Sequence, residues 1–349
     1  MDFPSAVTTP YEKNNTVPLK VLVPADAKGP MPVVVILHFW GASDLRPERA
    51  LAQELNRRGV AAALLTLPYH LERTPPGRRS GDMAVEPEPE RLKAMTLQSV
   101  WDVRRTIDFL LSRPEFDSTR VGISGTSLGA LVAALTFALD TRVASSTFVL
   151  GGVDFAGILW NSSRVVQQRE GLRRRGLTEE RLREALVSIE PLTYLKQREG
   201  GTSFVIGARF DTVIPRRSTD ELIAALKNPK VLWLDTGHYG GIFVQRRLMR
   251  EVALFFGSEF TGSAYTPPKR LYAPTFRVGL KADLPTGFDV AIGMDLLRFD
   301  KRGEGFASLL ITPRGPGLFL GRKLTPVLSL GVTLTPRTGG IGIYWSTVL

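Results

Sequence analysis

The stretch Arg120-Val-Gly-Ile-Ser-Gly-Thr-Ser-Leu-Gly-Ala-Leu-Val-Ala-Ala-Leu135 decides the fold, because it predicts a buried strand, a tight turn and a helix in immediate succession. Ser127 lies in the turn, between Gly125 and Gly129. A side chain at either glycine would collide with the neighbouring strand or helix. A serine at a helix N-terminus also has the Leu128 N–H beside any negative charge that forms there. Ser127 is therefore a candidate nucleophile, and Leu128 is a candidate oxyanion donor.

Apolar strands and amphipathic helices alternate on both sides of this stretch. Residues 32–37 and 60–67 are continuous aliphatic runs, which are typical of parallel strands buried on both faces. A helix is predicted between them over residues 46–58, and another over residues 90–112. The sequence therefore predicts an α/β fold with a mostly parallel sheet flanked by helices.

Two segments interrupt this alternation. Residues 68–90 are rich in proline, glycine and charge, which predicts a long loop that covers the site. Residues 154–198 contain two arginine-rich helical patterns, at 158–170 and 179–188. We expect residues 154–198 to form a helical cap insertion, and the alternative is an ordinary crossover with one extra helix.

The pattern of apolar and polar residues changes after Gly262. Helical periodicity ends, and six short runs of alternating apolar and polar residues follow, separated by proline, glycine or charged turns. We expect residues 1–262 to form the catalytic domain and residues 263–349 to form a small antiparallel all-β accessory domain.

The accessory domain could close as a barrel or pack as a sandwich. Six strands are fewer than the roughly eight at which single-chain outer-membrane barrels start, so we expect a soluble domain. Its expected role is to form a homo-oligomer or to attach the protein to a surface or a substrate. Because the parallel sheet is complete by residue 256, a chain that ends at Gly262 is expected to keep a reactive serine.

The composition excludes several classes of function. The 349 residues include no cysteine, which excludes disulfides, thiolate catalysis and cysteine-ligated metals. The three histidines, His38, His70 and His238, are too scattered to suggest a metal site. The formal net charge is +11, but the basic residues are spread along the chain without a nucleic-acid motif, so no nucleic-acid partner is expected.

The sequence also bears on membranes and location. No apolar run reaches the roughly 18–20 residues of a spanning helix, and the first residues lack the basic and apolar regions of a signal peptide. We expect no integral membrane span and a cytoplasmic location by default, with surface or membrane association as the alternative.

Two further residues complete a chemical pattern with Ser127. Asp211 follows the predicted strand 203–207, and His238 follows the last predicted parallel strand. A serine needs a neighbouring base to take its proton, and a carboxylate holds that base in the right tautomer. Two alternatives remain open at this point: Asp235 competes with Asp211 as the acid, and His70 is a rival base.

With these motifs, residues 17–260 resemble the α/β-hydrolase superfamily, on its serine esterase and dienelactone-hydrolase-like side. The loop His38-Phe-Trp-Gly41 corresponds to the His-Gly oxyanion loop of that family. The resemblance implies that the Trp40 N–H is the second oxyanion donor, with the Phe39 N–H as the alternative. Phe39 departs from the pattern, since it stands where the family usually has glycine. Ser127 also replaces the cysteine of the dienelactone hydrolases proper, which favours ordinary ester hydrolysis.

The resemblance implies a carboxylic ester hydrolase that acts through an acyl-enzyme on a small-molecule ester, with no metal or organic cofactor. The candidate substrate-binding residues are Phe39, His70, Trp160 and Tyr239. An amidase or peptidase of the same fold is the nearest alternative. A hydrolase-like protein that only binds or assembles is the alternative from a different class.

Overall fold

The structure is a computed structural model, and it describes residues 1–27, 29–284, 287–299, 304–325, 327–336 and 338–348. The chain divides into two compact units. We call the first the α/β unit, and it comprises Met1–Gly207, Val213–Trp233 and Gln245–Lys269. We call the second the barrel unit, and it comprises Ala208–Thr212, Leu234–Val244 and Arg270–Leu349.

The α/β unit is built on a mostly parallel sheet. Strands β3 to β7 pair in parallel in the order β4-β3-β5-β6-β7, while β2 pairs antiparallel with β4 and β1 antiparallel with β2. β8 follows β7 in the sheet. The strands are β1 (Asp2–Pro4), β2 (Thr16–Leu22), β3 (Met31–Leu37), β4 (Ala61–Leu65), β5 (Phe116–Thr126), β6 (Val143–Val149), β7 (Thr202–Ala208) and β8 (Lys230–Leu234).

The predicted α/β architecture is confirmed, with one correction at its edge. The alternating pattern of residues 17–23 predicts an edge strand that begins the sheet. This segment forms β2, but β1 pairs with its free side. The polar composition of the first residues hid this strand. At three residues, β1 is too short to show an alternating pattern.

Helices connect these strands. Their bounds are α1 (Arg46–Asn56), α2 (Pro89–Leu111), α3 (Leu128–Leu139), α4 (Phe155–Asn161), α5 (Val166–Arg174), α6 (Glu179–Leu186), α7 (Pro191–Leu195), α8 (Arg216–Ala225) and α9 (Gln245–Thr261). Short 3-10 segments lie at Glu12–Asn15, Leu71–Arg73, Val187–Ile189 and His238–Val244. The predicted insertion between β6 and β7 is helical, since it contains α4 to α7.

The core of the α/β unit explains why these strands form. Every residue of β4 is buried, and so are the last six residues of β3. Strands apolar on both faces need cover on both faces, which the flanking helices supply. α3 is apolar around most of its circumference and is mostly buried, whereas Ser127 in the turn before it is half-buried.

The barrel unit contains a closed antiparallel barrel, in the order β10-β11-β12-β13-β14-β15. β15 pairs with β10 and completes the closure. The strands are β9 (Arg270–Leu271), β10 (Thr275–Leu284), β11 (Gly287–Arg298), β12 (Gly305–Thr312), β13 (Gly315–Lys323), β14 (Leu328–Leu334) and β15 (Gly339–Val348). The predicted all-β region is confirmed, and closure decides between the barrel and the sandwich.

The two units cut the chain differently from the predicted boundary after residue 262. The segments Ala208–Thr212 and Leu234–Val244, which follow β7 and β8, group with the barrel. Compact grouping does not measure independent folding, so the division into residues 1–262 and 263–349 stays a prediction. Among the described residues, no helix combines the length and the apolar character needed to cross a membrane.

Candidate active site

Ser127 occupies a strained turn between β5 and α3. Its backbone has φ 53° and ψ −114°, a conformation that residues with a side chain rarely adopt. The Ser127 N–H donates to the Val149 carbonyl at 2.8 Å, and the Ser127 carbonyl accepts from Ala130 and Leu131 in the first turn of α3. Strain of this kind costs about 1–3 kcal/mol and persists where the surroundings enforce it, commonly at functional sites.

The two glycines around Ser127 are required by space. A Cβ on Gly125 would overlap the Gly129 carbonyl, and a Cβ on Gly129 would overlap the Leu37 carbonyl. The first turn of α3 therefore packs directly against the end of β3 and the start of the loop that follows. The first N–H groups of a helix have no partner within the helix, so Leu128 has a donor suited to an anion beside Ser127.

His38 fixes the loop after β3. Its Nε2 accepts from the Leu67 N–H at 3.0 Å, so Nδ1 carries the proton that it donates to the Phe39 carbonyl at 2.9 Å. Burial lowers the pKa of His38 to about 4, which keeps the ring neutral at physiological pH. The histidine thus ties the loop to the end of β4.

Trp40 is held at the same edge of the sheet by two contacts. Its indole N–H donates to the Gly81 carbonyl at 2.8 Å, and the Arg164 guanidinium lies 4.7 Å from the centre of the ring. Trp40 and Ser127 both line one cavity. Arg164 lines it as well, although it belongs to no motif that predicts such a position.

The cavity beside Ser127 lies within the α/β unit, holds about 90 Å³ and is almost wholly apolar. Val85, from the long loop predicted to cover the site, forms part of the wall, and helices α2, α3 and α4 contribute much of the rest. Its lining residues include Leu92, Met95, Leu128, Leu131, Val132, Phe155, Ile158, Leu159, Leu186, Ile189, Val213 and Ile214. An apolar cavity next to a serine hydroxyl can hold an apolar group of a small molecule beside that hydroxyl.

The predicted substrate-binding residues of the α/β unit lie off this wall. Phe39 and Trp160 are half-buried, and neither is among the residues that line the cavity, although the neighbouring Leu159 is. His70 is fully buried. Its Nδ1 donates to the Pro68 carbonyl at 2.8 Å, and its ring meets His38 edge to face. Burial, with His38 as a second cause, lowers the pKa of His70 to about 3.

These contacts place His70 in the packing behind the loop that follows β3, and not on the wall of the cavity. A substrate contact at Phe39, His70 or Trp160 stays a prediction.

The barrel unit contains a buried histidine–carboxylate pair. His238 Nδ1 lies 2.7 Å from Asp211 Oδ2, and the two side chains are 7% and 2% exposed. Asp235 instead bonds Arg209, whose Nη1 lies 2.5 Å from Asp235 Oδ1. Asp211 is therefore the carboxylate that orients His238. The half-buried Tyr239 ring lies edge-on to His238 at 5.4 Å, and its role in substrate binding stays a prediction.

The barrel supports the two segments that carry this pair. Thr236 donates to the Pro274 carbonyl at 2.7 Å, and the Phe243 and Phe276 rings lie 4.9 Å apart. Phe210, next to Asp211, lies under the Arg298 guanidinium, 3.4 Å from the ring centre. The sequence did not reveal this support, because the contacts join residues far apart in the chain with no shared motif.

The structure thus brings the predicted residues together in two groups. Ser127, Leu128 and Trp40 line one cavity of the α/β unit, while Asp211, His238 and Tyr239 cluster in the barrel unit. Within the described part of the chain, no group of three or more histidine or acidic residues is arranged to hold a metal ion.

Comparison with known proteins found no family profile that matches the chain. An uncharacterized protein of Mycobacterium tuberculosis, recorded for strains CDC 1551 and H37Rv, is 27% identical over 200 residues, which are 55% of this chain and 45% of that protein. The chain therefore spans less than half the length of these curated relatives.

Solved structures give a clearer likeness. Acetyl xylan esterase from Paenibacillus sp. R4 has a TM-score of 0.55 at 20% identity, over 68% of this chain and 79% of that one. Est1E from Butyrivibrio proteoclasticus, with ferulic acid bound, has a TM-score of 0.54 at 14% identity, over 71% and 96%. The 2,6-dihydroxy-pseudo-oxynicotine hydrolase has a TM-score of 0.52 at 16% identity, over 76% and 71%. These neighbours are hydrolases and esterases, and the likeness confirms the predicted α/β-hydrolase fold.

Proposed function

We propose that the protein is a serine hydrolase that cleaves carboxylic esters through Ser127, His238 and Asp211. The observation that carries the proposal is the strained Ser127 backbone at the start of α3, on the wall of an apolar cavity. The His238–Asp211 pair supports it, since a base already oriented by a carboxylate is the partner that a serine nucleophile needs.

The proposed reaction starts with proton transfer from Ser127 Oγ to His238 Nε2 as Oγ attacks the ester carbon. The N–H groups of Leu128 and Trp40 stabilise the negative oxygen of the tetrahedral intermediate. His238 then gives the proton to the departing alcohol, which leaves an acyl group on Ser127. Water, deprotonated by the same histidine, attacks this acyl-enzyme and releases the acid. Asp211 stabilises the positive imidazolium in both halves of the reaction.

The cavity suggests the substrate class. Its aliphatic wall favours a small-molecule ester whose acyl group is apolar, because burying a polar acyl group there without hydrogen bonds costs about 2 kcal/mol or more. The proposed chemistry needs no metal or organic cofactor. Hydrolysis of an amide at the same residues, a cytoplasmic location and a homo-oligomer formed through residues 263–349 stay predictions.

Covalent labelling with a fluorophosphonate tests the proposal. Ser127→Ala should abolish labelling and turnover of p-nitrophenyl esters, because the acceptor oxygen is gone. Ser112→Ala is the matched control, since Ser112 is an exposed serine at the end of α2 and should keep full labelling. Near-normal esterase activity in Ser127→Ala would end the assignment at this residue.

A further inference from the structure

The barrel presents apolar side chains outward on every strand. These side chains are at least 38% exposed, and each of the six strands carries at least one large aliphatic residue among them. One example from each strand, in the order β10 to β15, is Leu280, Val290, Ile311, Leu320, Leu330 and Ile343. Because the barrel is closed, this apolar surface surrounds it.

The inside of the barrel carries charges. Arg277 bonds Asp295 through two nitrogens, at 2.7 and 2.8 Å, and both side chains are buried. Lys281 pairs with Asp283, which also accepts from the Thr333 hydroxyl at 2.9 Å. An aromatic cluster around Phe306, Phe319 and Tyr344 fills part of the interior, but the ion pairs lie alongside it rather than outside.

This arrangement is the reverse of a barrel that faces water. A sheet with one face in water turns its polar side chains to that face. Buried ion pairs add little stability over apolar packing, so water alone gives no reason to place charges inside and aliphatic groups outside. Barrels that face lipid show the inverted pattern, with an apolar outer band and a polar interior.

The extent of the apolar surface around the barrel indicates what kind of partner covers it. One protein partner, or a second copy of the chain, would cover a patch on one side and leave the remaining strands exposed to water. Lipid acyl chains can surround all six strands at once. β10, β11 and β15 have 10, 12 and 10 residues, comparable with the roughly 9–11 residues of strands in a bilayer.

Aromatic residues and charge agree with this occupant. Phe288 is the second residue of β11 and Phe299 follows its last residue, and the two are 81% and 59% exposed. Aromatic side chains form such girdles at both interfaces of lipid-facing barrels. The chain also has a formal net charge of +11, which favours anionic headgroups.

We propose that the outer surface of the barrel lies against the acyl chains of a lipid bilayer and holds the protein at the membrane. This proposal rests on the barrel alone and does not depend on the proposed ester hydrolysis. It replaces the expectation of a soluble accessory domain, which depended only on the number of strands.

Flotation of the full chain with vesicles of phosphatidylethanolamine and phosphatidylglycerol tests the proposal. The protein should float with the vesicles, and it should remain bound in 0.5 M NaCl because apolar contacts are not screened by salt. Release of the protein by that salt would show a purely electrostatic attachment and would overturn the proposal. A defined oligomer that ignores the vesicles would overturn it too, in favour of protein contacts.

A matched pair of variants locates the contact. Val290→Asp with Ile343→Asp places charge on side chains that are 55% and 44% exposed on the barrel. Val187→Asp with Val166→Asp does the same at 54% and 44% exposure in the α/β unit. The barrel variant should lower the floated fraction at least fivefold, while the control should float like the unaltered protein. Equal flotation of both variants would overturn the proposal.

A labelling experiment covers the case in which the barrel variant fails to fold. The chain has no cysteine, so a single cysteine can carry a nitroxide without further changes. A label at Ile343→Cys, facing outward, should be relaxed by oxygen and shielded from a water-soluble nickel chelate. A label at the outward-facing control Val187→Cys should be open to the chelate. Strong relaxation of the Ile343→Cys label by the chelate, in the presence of vesicles, would contradict the proposal.

Discussion

The α/β unit and the barrel unit use the same apolar residues in opposite ways. In the α/β unit, β3 and β4 bury every aliphatic side chain, apart from the first residue of β3, between flanking helices. In the barrel unit, Val290, Ile311 and Ile343 point away from a core that holds Arg277 and Asp295. Continuous apolar runs imply burial on both faces, whereas alternation shows only which residues share a face. Which of the two faces is inside depends on the surrounding solvent.

The units also divide the proposed chemistry. Ser127 belongs to the α/β unit, and His238 and Asp211 belong to the barrel unit. A change in either unit is therefore expected to affect catalysis, and a change confined to one unit separates its contribution from that of the other.

The largest effect on kcat is expected from the loss of His238, the proposed base. His238→Ala should lower kcat for a p-nitrophenyl ester by on the order of 10⁴-fold, because triad members act together. Asp211→Asn should also be severe. Asp235→Asn is the control, since Asp235 bonds Arg209 and not His238, and it should have a much smaller effect. If His70→Ala abolished turnover while His238→Ala spared it, the assignment of the base would be wrong.

The next effect concerns acid stability of the α/β unit. Burial lowers the pKa of His38 to about 4 and that of His70 to about 3, from 6.5. Below pH 6.5 the unfolded chain therefore binds more protons than the folded protein does. The free energy of unfolding is highest above that pH and falls as the pH drops towards 4. Between pH 6.5 and pH 5, each histidine should lower the free energy of unfolding by up to about 2 kcal/mol, at 1.36 kcal/mol per pH unit.

Urea unfolding at pH 7 and pH 5 measures this loss. His70→Gln, which keeps a donor for the Pro68 carbonyl but does not titrate, should lose less stability on acidification than the unaltered protein. An equal loss in both proteins would show that His70 is protonated in the folded state.

A smaller effect on catalysis is expected from Phe210, which lies next to Asp211 and contacts the barrel. Phe210→Ala removes the ring under Arg298 next to Asp211, so it should lower kcat about tenfold and leave KM nearly unchanged. Phe288→Ala is the matched control, because Phe288 is exposed on the outside of the same unit. Equal kcat values for the two variants would refute a positioning role for Phe210.

The same contacts sharpen an expectation from the sequence. From the sequence alone, a chain ending at Gly262 is expected to keep a reactive serine. It would lack Pro274, Phe276 and Arg298, which contact the segments around His238 and Asp211, so its labelling by a fluorophosphonate should be slowed at least tenfold.

The smallest effect concerns the acyl group. Leu159→Ala should deepen the cavity and shift the preference among p-nitrophenyl esters towards longer acyl chains by about fivefold in kcat/KM. Leu172→Ala is the control, because Leu172 is buried in α5 but does not line the cavity. The same shift in both variants would indicate general loosening of helices α4 to α7.

The sequence predicted the features that depend on local pattern. The strand, turn and helix around Ser127, the helical insertion and the six strands that follow Gly262 in the barrel all follow from periodicity and glycine placement. The inverted barrel could not be predicted in this way, because alternation along a strand does not show which of its two faces points inward. The burial of His70 and the support of Phe210 by Arg298 also did not follow, since they depend on packing between distant segments.

The most direct test of the account is the rate of Ser127 labelling by a fluorophosphonate between pH 5 and 8, in the unaltered protein and in His238→Ala. If His238 activates Ser127, the rate should rise with pH through roughly 6–7 as the imidazole loses its proton, and then level off. The His238→Ala protein should be slow throughout and lack this rise. A labelling rate that is flat over this range in the unaltered protein, or unchanged by His238→Ala, would contradict the account.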